Sequence, residues 1–271
     1  EYNDCIGYRQ ITFNYRRLNI MNKNIDLIVS LATYSKRIAT VPICLESLFN
    51  QSLKPRKIIL NIDDSVCIET LSPDILKYTK KGLEIVPVSS ELRSHNKYFY
   101  TFSEYKDCNI ITVDDDVIYP PDTFYNLMES YKRFPNAVSA TRVLDMTFSS
   151  RSINPYQKWI FECDKILTPS KRLFATGVGG ILYPAGILPE KTLNKKELMT
   201  YSLESDDMWL KFMELLGNIP VVWTGQKPQH PTQIEGTRET GLYRVQRYKN
   251  DSYIQTLVDH FNIDLYTEVN S

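Results

Sequence analysis

The chain has 271 residues, 42% of them hydrophobic and 24% charged, and its 32 Lys+Arg balance 32 Asp+Glu to a formal net charge of zero. That length buries a core large enough to fold without metal or disulfide staples, which excludes the small stapled scaffolds. The balanced charge excludes a protein whose main work is gripping nucleic-acid phosphates, because that work needs a basic excess or a long basic face.

Residues 1–24 read as an N-terminal arm, with Met21 as a candidate natural start. Ile25 to Ala32 (IDLIVSLA) is a short β-branched run followed by polar Thr33, Tyr34 and Ser35, the pattern of a buried strand ending in a loop. Thr40 is a candidate cap for a helix in which Val41, Cys44, Leu45, Leu48 and Phe49 recur at helical spacing. A second strand, Lys57 to Ile62, runs into Asp63-Asp64. Ser72-Pro73-Asp74 opens a helix that Gly82 stops, and Leu83 to Val88 is a third strand. A polar helix near Lys97 to Tyr105 leads to the fourth strand, Asn109 to Val113, which ends in Asp114-Asp115-Asp116. Pro120-Pro121 opens a helix through Arg133, and Ala137 to Val143 reads as a strand. Residues 144–176 lack clear periodicity and are expected to cover the site or meet an acceptor. Helix signals return from Ser205 to Leu216, Gly217 stops them, and Ile219 to Trp223 is a strand. Thr224 to Asn250 has the Gly, Pro and polar composition of a mobile lid.

Strands alternating with helices predict an α/β fold: a single domain with a mostly parallel central sheet covered on both faces. Ligands of such sheets bind at the carboxyl ends of the strands, where both acidic clusters fall. The five cysteines, at 5, 44, 67, 108 and 163, are odd in number and contain no C-x-x-C, so they suit neither a disulfide framework nor a zinc ribbon and point to a reducing compartment. No run approaches the roughly 20 apolar residues of a membrane span, and no charged-then-apolar leader opens the chain.

Three successive carboxylates at a strand end repel one another unless they share a cation. Oxygen ligands suit Mg²⁺ or Mn²⁺, whose shell is usually completed by water and substrate phosphates, so the cluster predicts a diphosphate substrate. The plain alternative is a solvated acidic turn that caps the next helix. Glu204, Asp206 and Asp207 fall at a helix start, where acids are also favoured by the macrodipole and Ser205 is an ordinary N-cap.

IVSLATYSKR (28–37), IILNIDD (58–64), IITVDDDVIYP (110–120), GVGGILYP (177–184) and ESDDMWLKFMELLG (204–217) occur in this order. Together they resemble the GT-A class of nucleotide-diphospho-sugar glycosyltransferases, particularly bacterial family-2-like enzymes of surface polysaccharide synthesis. The resemblance implies a Rossmann-like GT-A domain with a nucleotide-binding half over 25–143, an acceptor and catalytic half over 144–223, and a C-terminal lid and tail over 224–271. It implies that Thr33, Tyr34, Arg37, Asp63, Asp64 and Lys97 bind the nucleotide. Within the triplet, strand alternation would put Asp114 and Asp116 on one side, whereas the family tends to use the last acid for metal and the middle one for ribose. Asp116 is common to both schemes as principal ligand, with Asp114 nearby and Asp115 on ribose. Asp207, or next Asp206, is the implied general base of an inverting transfer, kept ionised by the helix N-terminus. Gly179 and Gly180 would let a loop pass beneath the donor sugar, although a tight turn into the strand explains them equally.

The expected partners are a nucleotide-sugar donor, a UDP-sugar first, and a glycan or lipid-linked saccharide acceptor, with no nucleic acid. The expected place is the cytoplasm, with peripheral association at the inner face of the cell membrane. Five basic residues of the C-terminal stretch (Lys227, Arg238, Arg244, Arg247, Lys249) against two acids suit a lid over a diphosphate. His230 is there as a candidate metal ligand or an exposed loop histidine. Tyr156 and Trp159 are read as a sugar-stacking surface or as core. A haloacid-dehalogenase-type phosphatase is the second enzymatic reading, weakened by Ile118 at the Thr/Val place and by the mid-chain position of the motif. A sugar nucleotidyltransferase would want a Gly-rich signature that LATYSKR lacks. A non-catalytic nucleotide- or carbohydrate-binding domain is the alternative from another class.

Overall fold

A computed structural model describes residues 26–237 and 243–271. The elements are β1 (Leu27–Thr33), α1 (Val41–Phe49), β2 (Lys57–Asp63), α2 (Pro73–Leu76), β3 (Leu83–Val88), α3 (Phe99–Glu104), β4 (Asn109–Thr112) and β5 (Val117–Ile118). Then come α4 (Thr123–Arg133), β6 (Val138–Ala140), β7 (Val143–Asp145), β8 (Phe148–Ser149), β9 (Ser152–Ile153), β10 (Leu173–Ala175) and β11 (Ile181–Tyr183). The chain continues through α5 (Lys195–Tyr201), α6 (Asp206–Leu216), β12 (Val221–Trp223), β13 (Thr232–Gln233), α7 (Tyr243–Phe261) and α8 (Leu265–Asn270).

Seven strands form one sheet in the order β12-β6-β11-β4-β1-β2-β3. β1 pairs in parallel with β2 and β4, β2 with β3, and β6 with β12. β11 runs antiparallel to both of its neighbours, with Ile181 opposite Thr112 and Ala140. The central strands are buried on both faces, which is why they read as continuous apolar runs. Leu27, Val29 and Leu31 of β1 pack with Leu45 and Leu48 of α1 and Phe124 and Leu127 of α4. A second core joins α6, through Trp209, Phe212 and Met213, to β6, β10, β11 and Leu257 of α7. The fold is therefore the expected mostly parallel α/β sheet covered by helices.

Several local expectations are corrected. Thr40 precedes α1, but its hydroxyl donates to Arg37 O (2.9 Å) and caps no α1 amide. The strand expected over 137–143 is two strands in different sheets, broken at Thr141-Arg142, with β7 pairing β10. The polar helix near Lys97 is a 3₁₀ segment, Ser90–Lys97, followed by α3. Within the stretch 224–250, read as a mobile lid, a helix begins at Tyr243 and runs on beyond it to Phe261. Tyr156 and Trp159 are buried against Phe174, so they are core and stack on no ligand. No helix among the described residues is long and apolar enough to cross a membrane.

Candidate active site

β4 ends at Thr112, and the chain bends at Asp115 and Asp116 before β5. Simple alternation therefore does not apply to the triplet. Asp114 turns toward Lys97, with Nζ to Oδ1 at 3.0 Å, whereas Asp115 (3.1 Å) and Asp116 (2.7 Å) both meet the Arg37 guanidinium. The turn is held by Cys44, Tyr119 and Ile234. Cys44 Sγ donates to Asp114 O, Asp114 N donates to the Tyr119 hydroxyl (2.8 Å), that hydroxyl donates to Val178 O (3.2 Å), and Ile234 N donates to Asp116 O (2.8 Å). Tyr119 thus ties the triplet to the glycine loop, a role that nothing in its apolar surroundings signalled.

Lys97 brings the two acidic clusters together. Its Nζ lies 2.6 Å from Asp206 Oδ2 and 3.9 Å from Asp207 Oδ1 as well as beside Asp114, and its side chain is only 7% exposed. It is neither a solvated lysine nor a group directed only at a nucleotide. The 3₁₀ segment that carries it is fixed by His95, which is fully buried. Its Nε2 donates to the Ser202 carbonyl (2.9 Å) and its Nδ1 pairs with the Tyr98 hydroxyl (2.8 Å), while burial lowers its pKa. Neither His95 nor Tyr98 stood out in the sequence, because a buried clamp of this kind has no spacing rule.

Burial would raise all of these carboxyls, and their partners then separate them. Asp206 ends below the ordinary carboxylate range because Lys97 and His95 outweigh its burial. Asp207 is pushed up to about 8 by burial and by the Asp206 charge, against the pull of Lys97. For Asp207 this departs from the expectation that the helix N-terminus keeps the acid ionised, whereas Asp206 stays charged beside Lys97. Asp207 Oδ1 accepts from Gly177 N at 3.1 Å. Asp115 is raised to about 7 by burial despite Arg37 and the Thr33 hydroxyl beside it.

Gly177–Gly179 is a 3₁₀ turn, and Gly180 follows at φ +93, so the loop is both a tight turn and a close backbone approach. A Cβ at Gly177 would run into Lys97 Nζ, with Asp207 Oδ1 at 3.2 Å and Asp114 Oδ1 at 3.3 Å. Gly177→Ala is therefore expected to destabilise the fold by about 1–3 kcal/mol through overpacking, read by chemical denaturation.

Asp63 and Asp64 line a cleft of about 650 Å³ beyond the carboxyl ends of β2 and β3, with Val88, Ser89 and Tyr100. Asp63 accepts from Ser65 N (3.0 Å) and Asp64 from Ser90 N (3.3 Å), which leaves carboxylate oxygens facing the cleft. Thr33 and Arg37 are buried beside Asp115, and Tyr34 is half-buried at the end of β1. In the C-terminal stretch, Lys227 is paired with Asp164 and Lys249 with Glu204. Arg238 and the side chains of Arg244 and Arg247 lie outside the described residues. His230 Nδ1 donates to its neighbour Pro231 O, and β13 sets Thr232 opposite Ile118. The histidine is thus displaced along the strand from Asp116, which argues against its ligating a metal there.

Asp114 and Asp116 carry oxygens of the kind Mg²⁺ or Mn²⁺ takes, but Asp114 is turned to Lys97 and Asp116 to Arg37, so a cation there would have to compete with both side chains. Among the described residues no group of three or more such ligands is gathered.

No family model matches the chain, and no curated protein matches it. Solved structures do. The structure of residues 1–349 of the glycosyltransferase TarS from S. aureus in complex with UDP shares 13% identity at a TM-score of 0.51, over 87% of this chain and 70% of that one. The longer S. aureus TarS structure gives 14% identity and 0.52 over 87% of this chain, which spans less than half of it (43%). A mannosyltransferase of Pyrobaculum calidifontis with GDP-Man and Mn²⁺ gives 13% identity and 0.49 over 93% of this chain and 70% of that one, too distant to add weight. The fold is that of the GT-A nucleotide-sugar glycosyltransferases. TarS is one solved protein to which the chain is similar in fold, without close sequence kinship.

Proposed function

We propose that the chain is an inverting glycosyltransferase that moves a sugar, of hexosyl or N-acetylhexosaminyl type, from a UDP-sugar to a hydroxyl of a glycan or lipid-linked saccharide. The observation that carries this reading is the convergence on Lys97 of Asp114 from the end of β4 and Asp206 and Asp207 from the start of α6. It sets a donor-side carboxylate and a candidate base at the same carboxyl edge of the sheet, where such folds bind ligand.

In this reading Asp63 or Asp64 accepts from the base or ribose in the β2–β3 cleft, and Asp115, steadied by Arg37, serves the ribose. Asp116, with Asp114 beside it, would hold a divalent cation, which when bound would supply Lewis-acid stabilisation of the departing diphosphate. Asp207, oriented by the Gly177 amide, takes the acceptor hydroxyl proton as that oxygen attacks the anomeric carbon from the face opposite the diphosphate. Lys97 keeps Asp206 charged and fixes its neighbour. The enzyme would work in the cytoplasm, at the inner face of the membrane where the acceptor is lipid-linked.

Calorimetry of UDP binding with and without Mn²⁺ tests the reading. UDP is expected to bind at least tenfold tighter with Mn²⁺, Asp116→Ala is expected to abolish that difference, and slow release of UDP from a UDP-sugar should accompany it. Binding with no donor breakdown for any acceptor would favour a non-catalytic module, and no binding of any nucleotide would overturn the reading.

A further inference from the structure

Glu204 precedes the N-cap of α6, and three donors from two distant segments converge on it. Arg93 NH1 lies 2.6 Å from Oε1, Lys249 Nζ lies 2.6 Å from Oε2, and the Tyr253 hydroxyl donates to Oε2 at 3.2 Å. Arg93 belongs to the 3₁₀ segment that carries Lys97, and it reaches Glu204 with φ at +50, a conformation that non-glycine residues rarely adopt. Lys249 and Tyr253 lie on α7. One carboxylate therefore joins the lysine segment, the start of the base-bearing helix and the C-terminal helix.

The C-terminal part of the chain also touches the other acidic cluster. Ile234 N donates to Asp116 O (2.8 Å), and β13 pairs with β5 directly after the triplet. Residues between 232 and 253 thus reach the active site at both ends: the triplet through β13, and the base helix through Glu204. A solvent-exposed ion pair by itself contributes little to stability. Here the pairs matter through position, because Glu204 is separated from Asp206 by Ser205 alone, and a base displaced by about an ångström loses roughly a hundredfold in rate.

We propose that Glu204 is a positioning residue: with Arg93, Lys249 and Tyr253 it clamps the start of α6 to α7 and thereby fixes Asp206 and Asp207 against Lys97 and Gly177. The clamp acts through Asp207 and touches no substrate. It rests on the assignment of Asp207 as base only for its kinetic consequence; its mechanical consequence stands independently.

The test uses the full chain with Lys249→Met, Lys249→Arg and Glu204→Gln. Lys249→Met and Glu204→Gln are expected to lower kcat about tenfold with the donor KM unchanged, and to speed hydrogen exchange across residues 202–210 several-fold in the protein without ligands. Lys249→Arg keeps the charge and the donors, and is expected to restore both. A raised donor KM with unchanged kcat, or exchange at 202–210 that none of the variants alters, overturns the clamp. If no nucleotide-sugar is turned over even by the wild type, the functional reading fails while the exchange measurement still decides whether the clamp exists.

Discussion

Asp207→Asn is expected to lower kcat by about 10²- to 10⁴-fold, the range a general base contributes, while UDP binding stays within a fewfold of wild type. The same substitution is expected to raise stability at alkaline pH. In the folded protein burial and Asp206 push the Asp207 carboxyl up to about 8, well above its ordinary value of 3.8. A carboxyl raised on folding favours the native state while protonated, and that advantage is lost as pH rises through its folded value near 8. Asparagine cannot ionise, so the variant avoids the loss; its melting temperature should exceed that of the wild type increasingly from about pH 4 up to about pH 8, most at and above about 8, and converge on it only near about pH 4, where the unfolded carboxyl is protonated too. For wild-type activity the sign is reversed. The base works deprotonated, so kcat/KM should rise with pH through about 8 and then level. A profile flat between pH 6 and 9, or an Asp207→Asn protein with undiminished turnover, would remove Asp207 from the mechanism.

Lys97→Met is expected to have the largest effect on stability. It leaves Asp114, Asp206 and Asp207 without their shared ammonium, with Asp206 buried and the other two carboxylates partly exposed. Removing one partner of a buried ion cluster costs about 3–5 kcal/mol, because the remaining charges are stranded. The acids respond by holding protons more tightly, so residual activity should shift its rising limb to higher pH and gain less below it. The double variant Lys97→Met/Asp206→Asn removes one stranded charge and should recover part of the stability without recovering turnover. Denaturant titrations of the two variants at pH 6 and 8 measure this. Equal stability of Lys97→Met and wild type at pH 8 would show that solvent, and not Lys97, neutralises the cluster.

Much of this arrangement is legible in the sequence for a simple reason: strands buried on both faces leave a continuous apolar signal. β3 falls on Leu83–Val88 as read, and β1, β2 and β4 shift by a residue or two at their ends. The acids are equally plain in the sequence, and they follow directly on the carboxyl end of β4. The cation between the acidic clusters is not legible. Lys97 lies in a polar run, SHNK, that periodicity assigns to solvent; only the fold shows that Leu92, His95, Asn96 and Lys97 are all buried there. The split at Thr141-Arg142 is hidden because AVSATRV has the composition of one strand although it serves two sheets. The helix α7 is hidden because its polar first turns look like loop in the sequence; further along, Ile254 and Leu257 pack into the core.

β11 carries a consequence for how the chain tolerates change. Running against β4 and β6, it receives its entry loop at the catalytic edge and delivers its exit loop to the opposite edge, where Ala185 N bonds Asn109 Oδ1 at the start of β4 (3.1 Å). The glycine turn before it has no room to lengthen, whereas Gly186 after it is in open surroundings at φ +61. A single reversed strand thereby separates the loop that must keep its length from the one where insertions and tethers are harmless, a natural handle for attaching the protein to a surface with its reactive edge facing outward.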